Sequence, residues 1–344
     1  MSSTDTPKNS GFIMPAEWEP HEAVWLAWPY DKISFGSLNQ KNNQFNPERL
    51  PKIETQFKKI IDALASSETV NLIVRDVKNH SEIKNARLFE ADYADVWTRD
   101  YIPAFVKTNK GKLAAVKWNY DAYGEQFADL MKDNNVWTTI NQQLKIDTFE
   151  PKIILESGAI ESNGNGTLLT TEQCLLKRNQ NLTKTDYENI FADHLGISRV
   201  IWLNQGLAND HTHGHVDEIA RFVAPNKIVC AYEDNPADKN YPILKENFEI
   251  LQQATDLDGK PFEVIKLPMP HLDYDDGNKA PVSYANFYIG NSVTLASIFK
   301  DPNDEKALKI LQDCFPDRKV VPIDCSDIIY GGGAIHCMTQ QQPQ

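Results

Sequence analysis

Long apolar runs and paired cysteines are both missing from this 344-residue sequence. No segment approaches the roughly 18–20 consecutive apolar residues of a transmembrane helix, so we expect none. The cysteines are odd in number, lie far apart and form no CxxC pair, which argues against a disulfide framework or a zinc ribbon and predicts a reducing, cytoplasmic location. They are Cys174, Cys230, Cys314, Cys325 and Cys337.

Positive charge is also scarce, because 35 Lys and Arg residues face 48 Asp and Glu residues and leave a net charge of −13. Such a surface is unsuited to nucleic acid or anionic membranes, although it attracts small cations. The N-terminal MSSTDTPKNSGF lacks the layout of a secretory signal. No Gly/Ser-rich or Pro-rich linker follows, so we expect a flexible tail over residues 1–12 and one domain over 13–344.

A repeated pattern of β-hairpins runs through the chain, which has an ordinary hydrophobic content of 41%. In each case apolar strand-like segments flank a turn-forming Asn, Gly or Pro. The predicted hairpins cover residues 104–118, 160–171, 220–232 and 287–299.

Segments between the hairpins have the 3.6-residue apolar spacing of helices, and each is followed by a further strand. Thr185 and Glu188 are spaced as a capping box for one of these helices. The predicted strands cover residues 70–74, 145–149, 199–203, 262–267 and 319–324.

A fifth hairpin forms if AVWLAW (23–28) pairs with the C-terminal AIHCMT (334–339). The chain would then close as a ring of five ββαβ units, which removes exposed sheet edges. The fold class predicted is therefore α/β, a five-bladed pseudo-symmetric propeller with a central active site. An open α/β sheet with irregular additions is the alternative.

Unusual polar residues occur near the start of each predicted hairpin, and equivalent positions of a ring meet at its centre. Each has an ordinary explanation when taken alone, such as a surface ion pair of Asp100 with Arg99. The residues are Asp100, Glu156, His215 with Asp217, Asn286 and Cys337.

These residue types suit the chemistry of a guanidinium group. A guanidinium is planar and cationic and offers five N–H donors, so Asp100 and Asp217 can hold it from two sides. Cys337 would attack its central carbon while His215 protonates the departing nitrogen, and His215 would then activate water to release the product.

The segment HTHGHVD also permits a metal site. His211, His213 and His215 would share one face of an extended strand with Asp217, which is a credible set of divalent-metal ligands. On this interpretation the protein is a metal-dependent hydrolase and Cys337 is incidental. A ring-shaped binding protein without catalysis is the third possibility.

Taken together, the motifs resemble the agmatine deiminases of the bacterial-type peptidylarginine deiminase superfamily of guanidine-modifying enzymes. The resemblance extends from about Met14 to Pro343. It rests on MPAEWEPHEAVWLAWP, WTRDYIPAFV, LTTEQCLLKRNQN, GHVDEIARFV, SYANFYI and GGGAIHCMTQQQP.

This resemblance implies a five-bladed α/β propeller and hydrolysis of agmatine to N-carbamoylputrescine and ammonia, with no metal or organic cofactor. It assigns the nucleophile to Cys337, the acid–base to His215 and the guanidinium ligands to Asp100 and Asp217. Free arginine or peptidyl-arginine is the alternative substrate, and a homodimer is suggested.

The sequence departs from the family pattern at several positions, for example at Ile102, where a glycine is usual. The family commonly has GHVDN, whereas this chain has GHVDE. For a substrate amine, the candidate partners are Trp18, Trp97 and Glu156. A substrate carboxylate would need Arg221 or Arg178. The other predicted substrate-binding residues are Asn286, Gly332 and Gly333.

Overall fold

The computed structural model describes residues 6–36 and 46–344, and the β-structure of this part of the chain forms five mixed sheets. In spatial order of its strands, the first sheet contains Phe12–Ile13, Ala104–Thr108, Leu113–Val116 and Thr148–Phe149, and the second contains Arg199–Leu203, Thr167–Thr171 and Glu161–Ser162. The third contains Ala220–Ala224, Lys227–Tyr232 and Glu263–Pro268, the fourth contains Tyr288–Ile289, Val293–Ile298 and Lys319–Asp324, and the last contains Gln340–Pro343, His21–Ala27, Thr69–Val74 and Arg87–Glu90.

Each sheet contains the same unit, in which an antiparallel pair is followed by a helix and a parallel strand. In one unit Ala220–Ala224 pairs antiparallel with Lys227–Tyr232. The helix Asn240–Gln253 follows, and Glu263–Pro268 then pairs parallel with the second strand. The α/β class, the four internal hairpins and the ββαβ unit are therefore confirmed.

The helices bury one apolar stripe against the sheets. In the helix Arg49–Leu64, Ile53, Phe57 and Ile60 are fully buried, as their spacing of three to four residues requires. The remaining α-helices are Thr98–Tyr101, Ala122–Glu125, Val136–Leu144, Glu172–Arg178, Lys184–Leu195, Asn240–Gln253 and Asp304–Cys314. Short 3₁₀ helices cover Pro7–Ser10, Val77–His80, Ala128–Asn135, Ser157–Ala159, Val216–Glu218 and Ile328–Gly331.

Both ends of the chain contribute to the last sheet, where Gln340–Pro343 pairs antiparallel with His21–Ala27. The predicted pairing of the N-terminal strand with the C-terminal segment is correct, but the strand predicted at 334–339 is wrong. The backbone N–H groups of His336 and Cys337 donate to the side chain of Asn286 instead of to a strand neighbour. The strand therefore begins at Gln340.

Two further local predictions concern the N-terminal tail and a capping box. Within the tail predicted at residues 1–12, Pro7–Ser10 form a 3₁₀ helix and Phe12 pairs with Thr108; residues 1–5 lie outside the described residues. The capping box uses Thr183 and Asp186, two residues earlier than predicted, because Thr183 has the extended backbone that an N-cap requires. In the described residues, no helix is both long and apolar enough to cross a membrane.

A fully buried guanidinium holds three of these units together. Arg221 donates to Glu161 at 2.9 Å and to Glu17 at 2.8 Å, so it joins the N-terminal segment to two sheets. It also donates to the backbone oxygen of Phe287 at 2.6 Å. Buried ions are stable only when they are paired in this way, so removal of one partner is costly.

We expect Arg221→Met to lower the free energy of unfolding by about 3–5 kcal/mol, because two buried carboxylates lose their partner. Urea unfolding followed by circular dichroism measures this change. Lys309→Met removes the exposed pair of Lys309 with Asp313 and is the matched control; it should stay within about 0.5 kcal/mol of the parent protein. An equally small effect of Arg221→Met would contradict the prediction.

Candidate functional site

The segment that carries His215 and Asp217 is a turn and not a strand. His213 and Gly214 have φ values of 65° and 100°, and Val216–Glu218 is a 3₁₀ helix. The prediction that His215 and Asp217 share one face because residues alternate along a strand is therefore wrong, since this segment is not a strand. The two side chains nevertheless reach the same site, because the turn directs both towards the helix Ser157–Ala159.

The four predicted catalytic side chains converge at this site. Close approach is possible at Gly158, where a Cβ would lie 2.6 Å from His215 Nδ1, 2.9 Å from Asp100 Oδ1 and 3.2 Å from Asp217 Oδ2. The Sγ atom of Cys337 lies 3.8 Å from Asp217 Oδ2. All four residues are buried, and His215 Nδ1 lies 3.9 Å from Asp100 Oδ1.

The thiol of Cys337 is held by a network centred on Asn286. The amide oxygen of Asn286 accepts from the backbone N–H of His336 at 2.8 Å, which fixes the orientation of the amide. Its nitrogen therefore faces the thiol and donates to Sγ at 3.1 Å and to Glu218 Oε1 at 2.8 Å. Asn286, predicted as a substrate-binding residue, thus contacts the sulfur.

Burial and the charge of neighbouring groups have opposing effects on the pKa values of Asp100 and His215. Burial raises the pKa of Asp100 to about 6, although nearby His215 opposes the shift. Burial lowers the pKa of His215, but Asp100, Cys174 and Glu156 together outweigh this effect and raise it well above its usual value. Tyr123 also donates its hydroxyl to Asp100 Oδ2 at 2.8 Å.

The acidic groups around the thiol lie close together, so a negative charge on one of them raises the pKa of the others. Burial, together with Asp217 and Glu218, raises the pKa of Cys337 well above its usual value. Burial and the Asp217 carboxylate also raise the pKa of Glu218. Burial alone would raise the pKa of Asp217, but the hydrogen bond from His336 and its charge lower it. The protein without ligand therefore holds Cys337 as a thiol.

Glu156 lies behind His215, with Oε2 at 3.7 Å from His215 Nε2. Its other oxygen accepts from Arg178 at 2.8 Å, so that guanidinium supplies the positive charge beside it. Arg178 also donates to His213 Nδ1 at 2.8 Å. Five buried atoms of these site residues have no hydrogen-bond partner in the described part of the chain: Glu156 Oε2, Asp217 Oδ1, Glu218 Oε2 and both ring nitrogens of His215.

The histidine triplet does not form the alternative metal site. His213 turns to Arg178, while the ring of His211 packs edge-on against Tyr123, with centroids 5.1 Å apart. Among residues 6–36 and 46–344, the groups of ligand atoms lying within 4.8 Å of one another do not include this triplet. The extended backbone that would align the three rings is absent because His213 and Gly214 adopt positive φ.

Of the remaining candidate substrate-binding residues, Gly333 and Trp97 lie beside Cys337, whereas Gly332 and Trp18 contact other residues. A Cβ on Gly333 would lie 2.8 Å from the Trp97 ring and 3.0 Å from Cys337 Cβ, so this glycine permits both to pack there. Gly332 has a φ of 100° and lies against His211. Trp18 is only partly buried and packs between two apolar clusters of the core, where its backbone oxygen accepts from Arg318.

Several residues of the site were not predicted as site residues. Glu218 follows Asp217 directly, and the GHVDE departure from the family pattern was the signal for it. His336 and Glu17 lie in quoted motifs, but no spacing indicates that they meet. Tyr123 has no sequence signal. Cys174 belongs to a group with Glu156 and His215 whose potential ligand atoms lie within 4.8 Å.

Five mixed sheets and a buried cluster of thiol, imidazole and carboxylates define an α/β protein with a cysteine-centred site. Residues 13–343 match the family model described as Porphyromonas-type peptidyl-arginine deiminase. The chain therefore belongs to the Porphyromonas-type peptidyl-arginine deiminase family, and the resemblance noted from the sequence motifs is confirmed.

Relatives of known description are similar over nearly their whole length. The agmatine deiminase of Pseudomonas syringae pv. tomato is 35% identical, over 98% of this chain and 97% of that protein. The structure of Enterococcus faecalis agmatine deiminase has a TM-score of 0.89 at 30% identity, covering 99% of this chain and 98% of that one. A cysteine-to-serine agmatine deiminase of C. jejuni with substrate bound has a TM-score of 0.86 at 28% identity, covering 97% and 96%.

We expect alkylation of Cys337 by iodoacetamide to be slow at neutral pH, because its raised pKa leaves little thiolate, the reactive form. The rate should rise about tenfold per pH unit from neutral pH upwards, since the thiolate fraction does so below the pKa. Mass spectrometry of the Cys337 peptide measures the rate. A rate that is already independent of pH near neutrality would contradict a thiol resting state.

Proposed function

We propose that this protein hydrolyses agmatine to N-carbamoylputrescine and ammonia through a covalent intermediate on Cys337. The observation that carries the proposal is the convergence of Asp100 and Asp217 around Gly158, with the Cys337 sulfur 3.8 Å from Asp217. Asp217 Oδ1 is buried and has no hydrogen-bond partner in the described residues. A guanidinium offers the donors and the positive charge that this site lacks.

In the first half of the reaction the two carboxylates hold the guanidinium, and its charge favours ionisation of the Cys337 thiol, whose proton passes to solvent water. The thiolate attacks the central carbon and forms a C–S bond. His215 transfers its proton to one terminal nitrogen, the C–N bond breaks, and ammonia leaves a thiouronium on the sulfur. The raised pKa of His215 supports its role as the acid, because it is protonated when the substrate arrives.

In the second half, His215 takes a proton from water, which attacks the same carbon. The C–S bond then breaks, the cysteine leaves as a thiolate, and the product is a substituted urea. Glu156 lies 3.7 Å from the second ring nitrogen of His215 and stabilises the imidazolium at both stages. Each step uses only side chains of this chain and water.

The choice of agmatine rests on the relatives, since agmatine deiminases are similar over the whole chain. The two arginines considered for a substrate carboxylate are both engaged: Arg221 with Glu17 and Glu161, and Arg178 with Glu156. This favours a substrate without a carboxylate over free arginine. Peptidyl-arginine remains the alternative substrate of the family.

The proposal extends to the arrangement of the whole molecule. Five repeated ββαβ units, with the chain ends paired in the last sheet, support a single catalytic domain over residues 13–344 folded as a five-bladed propeller around a central site. Trp97, Gly332 and Gly333 would line the substrate channel beside the thiol. We also propose a cytoplasmic homodimer without nucleic-acid or membrane partners.

The substrate is tested by ammonia release from agmatine, arginine and a blocked arginine peptide under identical conditions. We expect the largest kcat/KM for agmatine, because Arg178 and Arg221, the two arginines considered for a substrate carboxylate, are already paired with carboxylates. Release from the peptide alone would overturn the substrate assignment while leaving the cysteine mechanism intact. Release from none of the three would overturn the proposed function.

The nucleophile is tested by Cys337→Ser, with Cys314→Ser as the matched control. We expect the first variant to lose activity by at least about 10³-fold, because an alcohol is far less ionised than a thiol. Cys314 lies at the end of the helix Asp304–Cys314, away from the cluster, so its variant should keep the parent rate. Full activity of Cys337→Ser would remove the covalent step from the proposal.

A further inference from the structure

The imidazole of His336 bridges two carboxylates that are distant in sequence. His336 Nδ1 lies 2.7 Å from Asp217 Oδ2, and Nε2 lies 2.8 Å from Glu17 Oε2. All three side chains are almost completely buried. The proposed mechanism uses Asp217 but leaves both His336 and Glu17 without a function.

Both contacts are short enough to require a proton between the two heavy atoms. A carboxylate offers only acceptors, and a neutral imidazole has one N–H group, so a neutral ring cannot donate to both. Glu17, His336 and Asp217 together therefore hold two protons. Burial, Arg221 and Arg99 disfavour a charge on the ring, whereas Glu17 and Asp217 favour it.

The two carboxylates beside His336 face different groups. Glu17 accepts from Arg221 at 2.8 Å and from the backbone N–H of Ile289 at 2.8 Å, and Arg99 lies 3.5 Å from it. Asp217 instead faces the thiol and lies close to Gly158, beside Asp100 and His215. Whether the ring is neutral or charged, an N–H at Nδ1 leaves Asp217 as the carboxylate that a guanidinium needs.

We propose that His336 is a positioning residue for deimination, with its Nδ1–H donating to Asp217 Oδ2 so that Oδ1 is turned towards the substrate. This inference rests on the proposed function for its kinetic consequences. Glu17 holds the other ring nitrogen and so selects the orientation of the imidazole. The unpartnered Asp217 Oδ1 is the atom that this arrangement leaves free.

The ring acts separately from the backbone of the same residue. The His336 N–H donates to Asn286 Oδ1 at 2.8 Å, and its carbonyl accepts from Arg99 Nε at 3.3 Å. Substitution of the side chain therefore leaves the main-chain contacts that place Cys337. The effect of a side-chain substitution at His336 therefore reflects the loss of its contacts with Asp217 and Glu17.

Two isosteric variants separate the ring nitrogens. In His336→Asn the amide nitrogen occupies the place of Nδ1 and still donates to Asp217, whereas in His336→Gln it occupies the place of Nε2 and donates to Glu17. A charge-assisted hydrogen bond contributes about 1.5–3 kcal/mol, so His336→Gln should lower kcat/KM for agmatine by about 10- to 100-fold. His336→Asn should retain activity within about threefold of the parent protein.

The pH profile distinguishes positioning from a general loss of structure. Without the Nδ1 donor, Asp217 is protonated more readily, so the acidic limb of kcat/KM should move to higher pH in His336→Gln and stay in place in His336→Asn. Thermal melting of both variants verifies folding. Equal losses in the two variants, or an unmoved acidic limb in His336→Gln, would overturn the proposal.

The hydrogen position is also measurable without turnover. In ¹⁵N-histidine-labelled protein, assigned by comparison with His336→Asn, we expect His336 Nδ1 to carry a proton. A bare Nδ1 would overturn the inference even if agmatine is hydrolysed. A protonated Nδ1 in a protein that releases no ammonia would retain the hydrogen-bond assignment and reject the proposed function.

Discussion

A single buried carboxylate, that of Glu17, connects the two ends of the chain and the site. Burial alone would raise its pKa, but Arg221, His336 and Arg99 together lower it well below its usual value. It reaches Ile289 through a backbone N–H and the active-site segment through His336, and Arg221 links it onward to Glu161. The N-terminal segment, three sheets and the C-terminal loop therefore share one network of ion pairs, in which each charge is stable because the others are present.

The site itself differs from this network, because its acidic groups have too few positively charged partners. Asp100, Asp217, Glu218 and Cys337 crowd acidic groups into a buried space, and the raised pKa values of Asp100, Glu218 and Cys337 are the result. Groups held in this way gain most from a cation that enters between them. Compensation of these acidic groups by an entering cation is thus the physical basis of the proposed selectivity for a guanidinium.

Much of the fold was predictable, since hairpins and helices depend on local patterns. The turn signals at 104–118 and 220–232 and the stripe of Ile53, Phe57 and Ile60 specify their own elements. The failures have a different origin. The strand predicted at 334–339 is absent because its N–H groups bond to Asn286, and the HTHGHVD strand is absent because His213 and Gly214 turn the backbone. The Asn286 acceptor is not visible in the local sequence of 334–339, whereas Gly214 within HTHGHVD is a local signal for the turn.

By itself, the sequence determined the repeated unit and the family, and it pointed to residues that meet at the candidate site, because hydrophobic periodicity and ordered motifs are properties of the chain. Asp100, His215, Asp217 and Cys337 were all recognisable in this way. Only the tertiary structure decided that Glu17 and His336 stand behind Asp217, that Glu218 and Asn286 hold the thiol, and that the histidine triplet is dispersed. Those relations depend on contacts between segments hundreds of residues apart, and a hydrogen bond of 2.8 Å between positions 17 and 336 has no signature in either segment.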